Sequence, residues 1–228
     1  IVSLVGEFME DTKDGQVLCG DNRVSREQFV TWPQVREMVA SGLVEVASHS
    51  YNLHKGVTSN PQGSMPPSAL THIYCAQDQR YESDAEYYAR IQADLARNSA
   101  LIERGIGKKP RVMVWPYSAY NGLCIQAAEA EGMPITMNLE AGPNTPDVPL
   151  TRIRRVMLFF PDTVGYLKQN LRQQAQYGGK EQPRQAVADR GLGDEQALGG
   201  QGHAAGFIEG DEGADQVQID VAHVASLI

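Results

Sequence analysis

His49 and His54 close the segment Val44-Glu45-Val46-Ala47-Ser48-His49-Ser50-Tyr51-Asn52-Leu53-His54, where a short apolar run gives way to two imidazoles. Neutral imidazole is a good ligand for a divalent metal ion, and two of them supply half of a tetrahedral site. A helix could not bring this pair together, because five steps of ~100° leave the side chains ~140° apart. A loop leaving the end of a buried strand can. The competing reading of such a pair is two surface histidines beside a turn, and the surrounding elements must decide between them.

Other chemistries find no support in the residues. No Gly-x-Ser-x-Gly elbow occurs, which disfavours a serine esterase. No glycine-rich loop ends in Lys-Ser/Thr, which disfavours an NTPase. Cys19, Cys75 and Cys124 are isolated and odd in number, so they read as packing residues. The net charge of -8 argues against nucleic acid, whose phosphates an acidic surface repels. No run of about 18 apolar residues exists, so no transmembrane segment is expected. No signal peptide is visible. The opening Ile1-Val2-Ser3-Leu4-Val5 reads as a strand entered midway. We therefore expect residues upstream of it, with any compartment signal among them.

The elements that would position the histidines alternate between strand and helix. Residues 1–5 read as a buried strand, and the polar stretch 9–28 as a surface excursion. Thr31 caps a helix, with Pro33 in its first turn and Gln34 placed for a capping box. Gly42 ends it, and Leu43–Ala47 form the next strand. Residues 55–80 make a long proline-containing loop, of the length that is usually functional or disordered. Ser83-Asp84-Ala85-Glu86 is a second capping box, opening a helix to about Arg104 that Gly105 and Gly107 stop. Tyr87, Ile91, Leu95 and Ile102 mark its buried face. Arg111–Trp115 give a strand, Asn121 caps a helix over Gly122–Glu131, and Ile135–Leu139 give another strand. Arg152–Phe160 read as a strand and 162–176 as a helix.

Short βα joints in this order signal a parallel sheet. In such folds the active site gathers at the C-terminal rim of the strands. His49, Trp115-Pro116-Tyr117 and Glu140 all fall at that rim. This convergence favours the metal reading of the histidine pair. From about residue 178 the chain is rich in Gly, Ala, Gln, Asp and Glu, a composition that buries little and tends to disorder. His203 and His223 lie in that tail and are read as non-functional.

Ala47-Ser48-His49-Ser50-Tyr51-Asn52-Leu53-His54 resembles the second motif of the polysaccharide deacetylases, the NodB-homology group of carbohydrate esterase family four. Most members space the two histidines by four. The spacing of five, followed by Lys55-Gly56, is similar to the poly-β-1,6-N-acetylglucosamine N-deacetylases of biofilm export. Thr31-Trp32-Pro33-Gln34-Val35-Arg36, Val114-Trp115-Pro116-Tyr117 with Asn121-Gly122, and Leu139-Glu140-Ala141-Gly142 agree with the same subgroup. The resemblance covers about residues 1–176.

The resemblance implies an α/β fold, an incomplete and distorted (β/α) barrel over residues 1–177, with 178–228 as a low-complexity tail. It implies metal-dependent N-deacetylation of a β-1,6-linked N-acetylglucosamine polymer, or of peptidoglycan or chitin oligomers on the same chemistry. A non-catalytic polysaccharide-binding domain is the second class. His49 and His54 become ligands to zinc, nickel, cobalt or iron. Tyr117 donates its main-chain N–H to the oxyanion, and Ser50 steadies the loop. Trp115, Tyr117 and Glu140 contact substrate. Work in the periplasm or at the cell surface, and partners in an export machinery, are implied in the same way. The family's Asp-Asp pair and its acid histidine have no counterpart in this chain, and Val114 stands where the third motif commonly has arginine. A chain with this content is expected to be nearly inactive alone and to bind metal weakly.

Three further readings accompany these. His72 is taken as an exposed loop residue. Asp78, Asp84 and Asp94 are taken as loop or cap residues. Tyr74, Tyr81, Tyr87 and Tyr88 are open between packing and stacking on sugar rings.

Overall fold

In the computed structural model, residues 1–156 other than 11, 20 and 21 are described, together with 165, 168, 169 and 172. Five short strands carry the site: β1 (Val2–Leu4), β5 (Val46–Ser48), β8 (Val112–Val114), β9 (Ile135–Asn138) and β10 (Ile153–Arg154). Between β1 and β5 stand helix α1 (Gly6–Glu10), three strands β2 (Thr12–Lys13), β3 (Gln16–Cys19) and β4 (Asn22–Ser25), and helix α2 (Trp32–Ala40). Strand β5 (Val46–Ser48) is followed by the short pair β6 (Tyr74–Cys75) and β7 (Arg80–Tyr81). Helix α3 (Asp84–Ile106), strand β8 (Val112–Val114), helix α4 (Gly122–Ala130), and strands β9 (Ile135–Asn138) and β10 (Ile153–Arg154) complete the order.

The main sheet has the order β1-β5-β8-β9-β10, and every neighbour pair is parallel. Among the described residues it does not close on itself. Side chains alternate across the pleat. On one face Leu4, Val46 and Met113 meet the helices. Val35 of α2 and Ile102 of α3 pack over β1 and β5, while Ile91 and Leu95 of α3 and Ala127 of α4 pack over β8. The other face carries Ala47, Val112, Val114 and Met137. Ile91 and Leu95 are fully buried, and truncating either to alanine should cost about 2–5 kcal/mol.

Both expected capping boxes are present. The Thr31 amide donates to Gln34 Oε1 at 2.8 Å, and the Ser83 amide donates to Glu86 Oε2 at 2.9 Å. Helix α3 ends at Ile106, two residues later than expected, with Gly107 in the left-handed region at φ 77°. Gly105 lies inside the helix rather than stopping it. The Trp32 ring sits so close there that an added Cβ would lie 2.1 Å from it. The glycine serves helix packing, not termination.

Several expectations are corrected. The stretch 9–28, expected as a surface excursion, is mostly exposed but has regular structure. It forms α1's end and a three-stranded antiparallel sheet, with Val17 almost fully buried. Its signal was Asp14-Gly15, whose φ values of 55° and 72° make the tight hairpin turn that this dipeptide favours. The strand expected over Leu43–Ala47 is Val46–Ser48 instead, and Leu43 is 89% exposed. Strand β10 starts at Ile153 after a 3-10 turn over Leu150–Arg152, and the part expected beyond 156 lies outside the described residues. Of the helix expected over 162–176, residues 165, 168, 169 and 172 are described and are helical. The tail from 178 lies outside the described residues.

The long loop is ordered by its contacts. Arg90 of α3 donates to the carbonyls of Ser68 and Thr71 and to both carboxylate oxygens of Glu82. Asp94, expected to be a loop or cap residue, stands in the middle of α3. No described helix is long and apolar enough to cross a membrane.

Candidate functional site

His49 follows β5 directly, and its main chain still belongs to the sheet: its amide donates to the Leu4 carbonyl at 2.9 Å. Strands β5 and β8 pair in register only at Ser48 and Met113. Beyond that pair the His49 ring bridges the two strands, with Nδ1 2.7 Å from the Val114 carbonyl. A carbonyl oxygen can only accept, so Nδ1 carries the proton. In the neutral ring, Nε2 then keeps its lone pair. Burial, helped by the neighbouring His54 and by Arg155, pushes the His49 pKa down to about 3. The ring is therefore neutral at any ordinary pH, as a metal ligand must be.

His54 lies 5.2 Å away between ring centroids, with the planes at 53°. Its Nδ1 is 3.0 Å from the Tyr117 hydroxyl, and burial lowers its pKa as well. Phe8 approaches its ring at 6.0 Å between centroids. Two imidazoles bound through nitrogen to one tetrahedral ion, at about 2.05 Å each, have centroids about 5.2 Å apart. The separation thus fits an ion between the two rings, and so does the lone pair left on His49. No third His, Cys, Asp or Glu joins the pair in a metal-binding group among the described residues.

Ser50 sits in the left-handed region at φ 69°, and its Oγ accepts from the Leu53 amide at 3.1 Å, which ties the loop between the histidines. Tyr117 and Ser118 are also left-handed, at φ 54° and 58°. Non-glycine residues held there cost of order 1–3 kcal/mol each, and such strain gathers at functional sites. Tyr117 is half-exposed, and burial raises its hydroxyl pKa.

Trp115 does not line the cleft as expected. It is completely buried, stacked on Tyr120 with ring centroids 5.8 Å apart, and part of the core under β8. A tryptophan at a strand end reads alike as core or cleft in sequence, and here the core takes it. Glu140 is exposed two strands away from His49 and accepts from the Tyr120 hydroxyl at 3.2 Å. Tyr120 in turn accepts from the buried Asn138 amide at 2.8 Å.

Of the four open tyrosines, Tyr87 is core: its hydroxyl donates to the Ala69 carbonyl, and its pKa is raised by burial. Tyr88 packs on the same cluster, and Tyr74 and Tyr81 pair across β6 and β7. His72 is not simply exposed; it stacks on Tyr87 at 4.5 Å and bonds Asp84 at 3.1 Å. Of the three cysteines, Cys124 is buried and Cys19 and Cys75 half-buried, and all are free.

Two residues were missed in the sequence. Arg155, just past β10, is buried, and its charge helps hold His49 neutral. Asp94 accepts from the amides of Tyr51 and Asn52 at 2.8 and 2.7 Å. Neither position has a spacing signal, because each meets the site only through the fold.

A parallel sheet with a histidine pair at its C-terminal rim defines the class. The polysaccharide deacetylase family model matches residues 6–136, and the chain belongs to that family. It is 39% identical over 138 residues to poly-beta-1,6-N-acetyl-D-glucosamine N-deacetylase of Escherichia coli K12, covering 60% of this chain and 20% of that protein. The chain thus spans about one fifth of that curated relative. The deacetylase domain of BpsB from Bordetella bronchiseptica superposes with a TM-score of 0.65 at 44% identity, covering 68% of this chain and 59% of that one. A de-N-acetylase from Aggregatibacter actinomycetemcomitans superposes equally well at 37% identity, covering 74% of this chain and 63% of that one.

Proposed function

We propose that this chain is part of a metal-dependent N-deacetylase acting on a β-1,6-linked N-acetylglucosamine polymer. The observation that carries the metal centre is the buried, neutral His49, with Nδ1 spent on Val114 and its ring 5.2 Å from that of His54. The substrate class rests on the E. coli relative's name together with the 39% identity.

In this reading His49 and His54 hold zinc, nickel, cobalt or iron through Nε2. Such an ion supplies Lewis acidity toward an amide carbonyl and a bound water of lowered pKa. Tyr117 gives its main-chain N–H to the developing oxyanion and steadies His54 with its hydroxyl. Glu140 meets the polymer at the exposed end of β9. The water's proton and that of the leaving amine need a carboxylate and an acid beyond this pair. Export of matrix polysaccharide, with work in the periplasm or at the cell surface and with export partners, belongs to the same reading.

The test uses the protein as its gene encodes it. Free amines released from a β-1,6-linked N-acetylglucosamine oligomer are measured beside those from a chitin oligomer. His49→Asn is the informative variant, since its amide can keep the bond to Val114 while losing the Nε2 lone pair. The reading expects preference for the β-1,6 oligomer, and loss of activity in the variant and in chelator. Activity that survives both rejects the metal centre; a preference for chitin rejects the substrate. Binding of the oligomer without turnover would favour a non-catalytic domain.

A further inference from the structure

The four residues between the histidines would leave their main-chain amides unpaired if the loop stood alone. Instead each of the amides 50–53 is bound by a side chain. Ser50 donates to Ser48 Oγ at 3.3 Å and Leu53 to Ser50 Oγ at 3.1 Å. Tyr51 and Asn52 donate to the two oxygens of one carboxylate, that of Asp94. Successive amides turned to one side form a concave anion seat, and here the anion comes from the protein itself. Two of the loop's carbonyls are bound as well, Ser50 by the Gly6 amide at 3.0 Å and Tyr51 by the Glu7 amide at 2.9 Å.

Asp94 does not act alone on α3. One turn further along, Arg97 lies over the Tyr51 ring, 3.5 Å from its centroid. Asn98 donates to the Leu4 carbonyl at 3.0 Å and to Ser48 Oγ at 2.7 Å. Positions i, i+3 and i+4 share one helix face. That face of α3 therefore holds β1's end, β5's end and the loop in one frame. Gly6 is the close point of this frame, since an added Cβ would lie 2.5 Å from both Asn98 Oδ1 and the Tyr51 ring.

We infer that Asp94 is the positioning residue that sets the separation of His49 and His54. It touches neither ring. It fixes Tyr51 and Asn52, the two residues through which the chain must turn to bring the second imidazole back to the first. A metal pair tolerates errors of only about 0.5 Å. Both oxygens of one half-buried carboxylate are used, so neutral asparagine can satisfy only one of the two amides.

This inference rests on the histidine pair as a metal centre, and the experiment separates the two. The 228-residue chain and its variants are titrated with cobalt(II), and amide exchange is read at Tyr51 and Asn52 without metal. Asp94→Ala should weaken cobalt binding by about 10–100-fold, as loss of a supporting partner does. Asp94→Asn should fall between it and the wild type. Both amides should exchange at least about tenfold faster. Should the alanine variant not fold, the near-isosteric asparagine variant carries the comparison. Glu82→Gln loosens the Arg90 bridge one turn earlier on α3, and it should lose stability but keep cobalt affinity. Faster exchange with unchanged affinity overturns the positioning role, as does an equal loss in Glu82→Gln. Failure of the metal reading looks different: His49→Asn would then bind cobalt like the wild type.

Discussion

Acid should move the stability of this protein in two opposed directions, and the two contributions can be separated. His49 is buried and neutral, with its pKa lowered from 6.5 to about 3 by burial first and by His54 second. In the unfolded chain it takes up a proton near 6.5, so stability is lost as pH falls from 6.5 toward 3. At about 1.4 kcal/mol per pH unit, the full loss is about 5 kcal/mol. Asp94 runs the other way. Burial outweighs its two amide bonds and raises its pKa from 3.8 to about 6. Its contribution is present below 3.8 and is lost as pH rises through 6, to a total of about 3 kcal/mol. Between pH 7 and 5 the two amount to a loss of about 2 kcal/mol from His49 and a gain of about 1.5 from Asp94. The wild-type contribution of this pair is then nearly flat. Urea unfolding in chelator, at pH 7 and 5, resolves them through the variants. His49→Asn should gain about 2 kcal/mol on the wild type over that interval, and Asp94→Asn should lose about 1.5. Parallel pH curves for wild type and His49→Asn would show that the imidazole titrates freely in the folded protein, and the argument for a neutral ligand would fail.

Three further outcomes are expected. Tyr117→Phe removes the hydroxyl beside His54 Nδ1 and leaves the main chain in place, so cobalt affinity should fall by up to about tenfold in a titration while the unfolding midpoint stays put; unchanged affinity would mean that the hydroxyl does not orient His54. Trp115→Ala should cost about 3–5 kcal/mol in urea unfolding, the cost of a large ring lost from a core; a small cost would return the ring to the cleft. The 228-residue chain by itself, with no third ligand beside the pair among the described residues, should release few free amines from a β-1,6-linked oligomer, and brisk turnover would contradict this.

What could be read from the sequence was whatever local chemistry dictates. The capping boxes at Thr31 and Ser83 and the apolar stripe of α3 are satisfied within a few residues, and they stand where expected. The histidine pair was legible because a strand end followed by a loop is also a local pattern. Trp115 was not, because a strand-end ring has the same sequence whether it faces core or cleft. Gly105 looked like a stop because its reason, the Trp32 ring, lies 73 positions earlier. Asp94 and Arg155 had no local sign at all. The first is a carboxylate inside a helix, brought to the loop after His49 by the packing of α3, and the second an arginine after a strand, brought near His49 by the sheet order. The hairpin over 12–25 was missed for a different reason. Its polar composition hid the Asp14-Gly15 turn and Val17, an alternate position that reaches the core.

The His49 ring also stitches β5 to β8 where their own ladder has run out. On the proposed reading, one bond serves both the scaffold and the chemistry, so erosion of either is felt by the other. Replacement by alanine would open a seam between two strands as well as remove the proposed ligand, and a drop in turnover could not be credited to chemistry alone. By the same token, any ion seated on Nε2 would pull on that seam, and its arrival should tighten the sheet at a point several bonds removed from the coordination sphere.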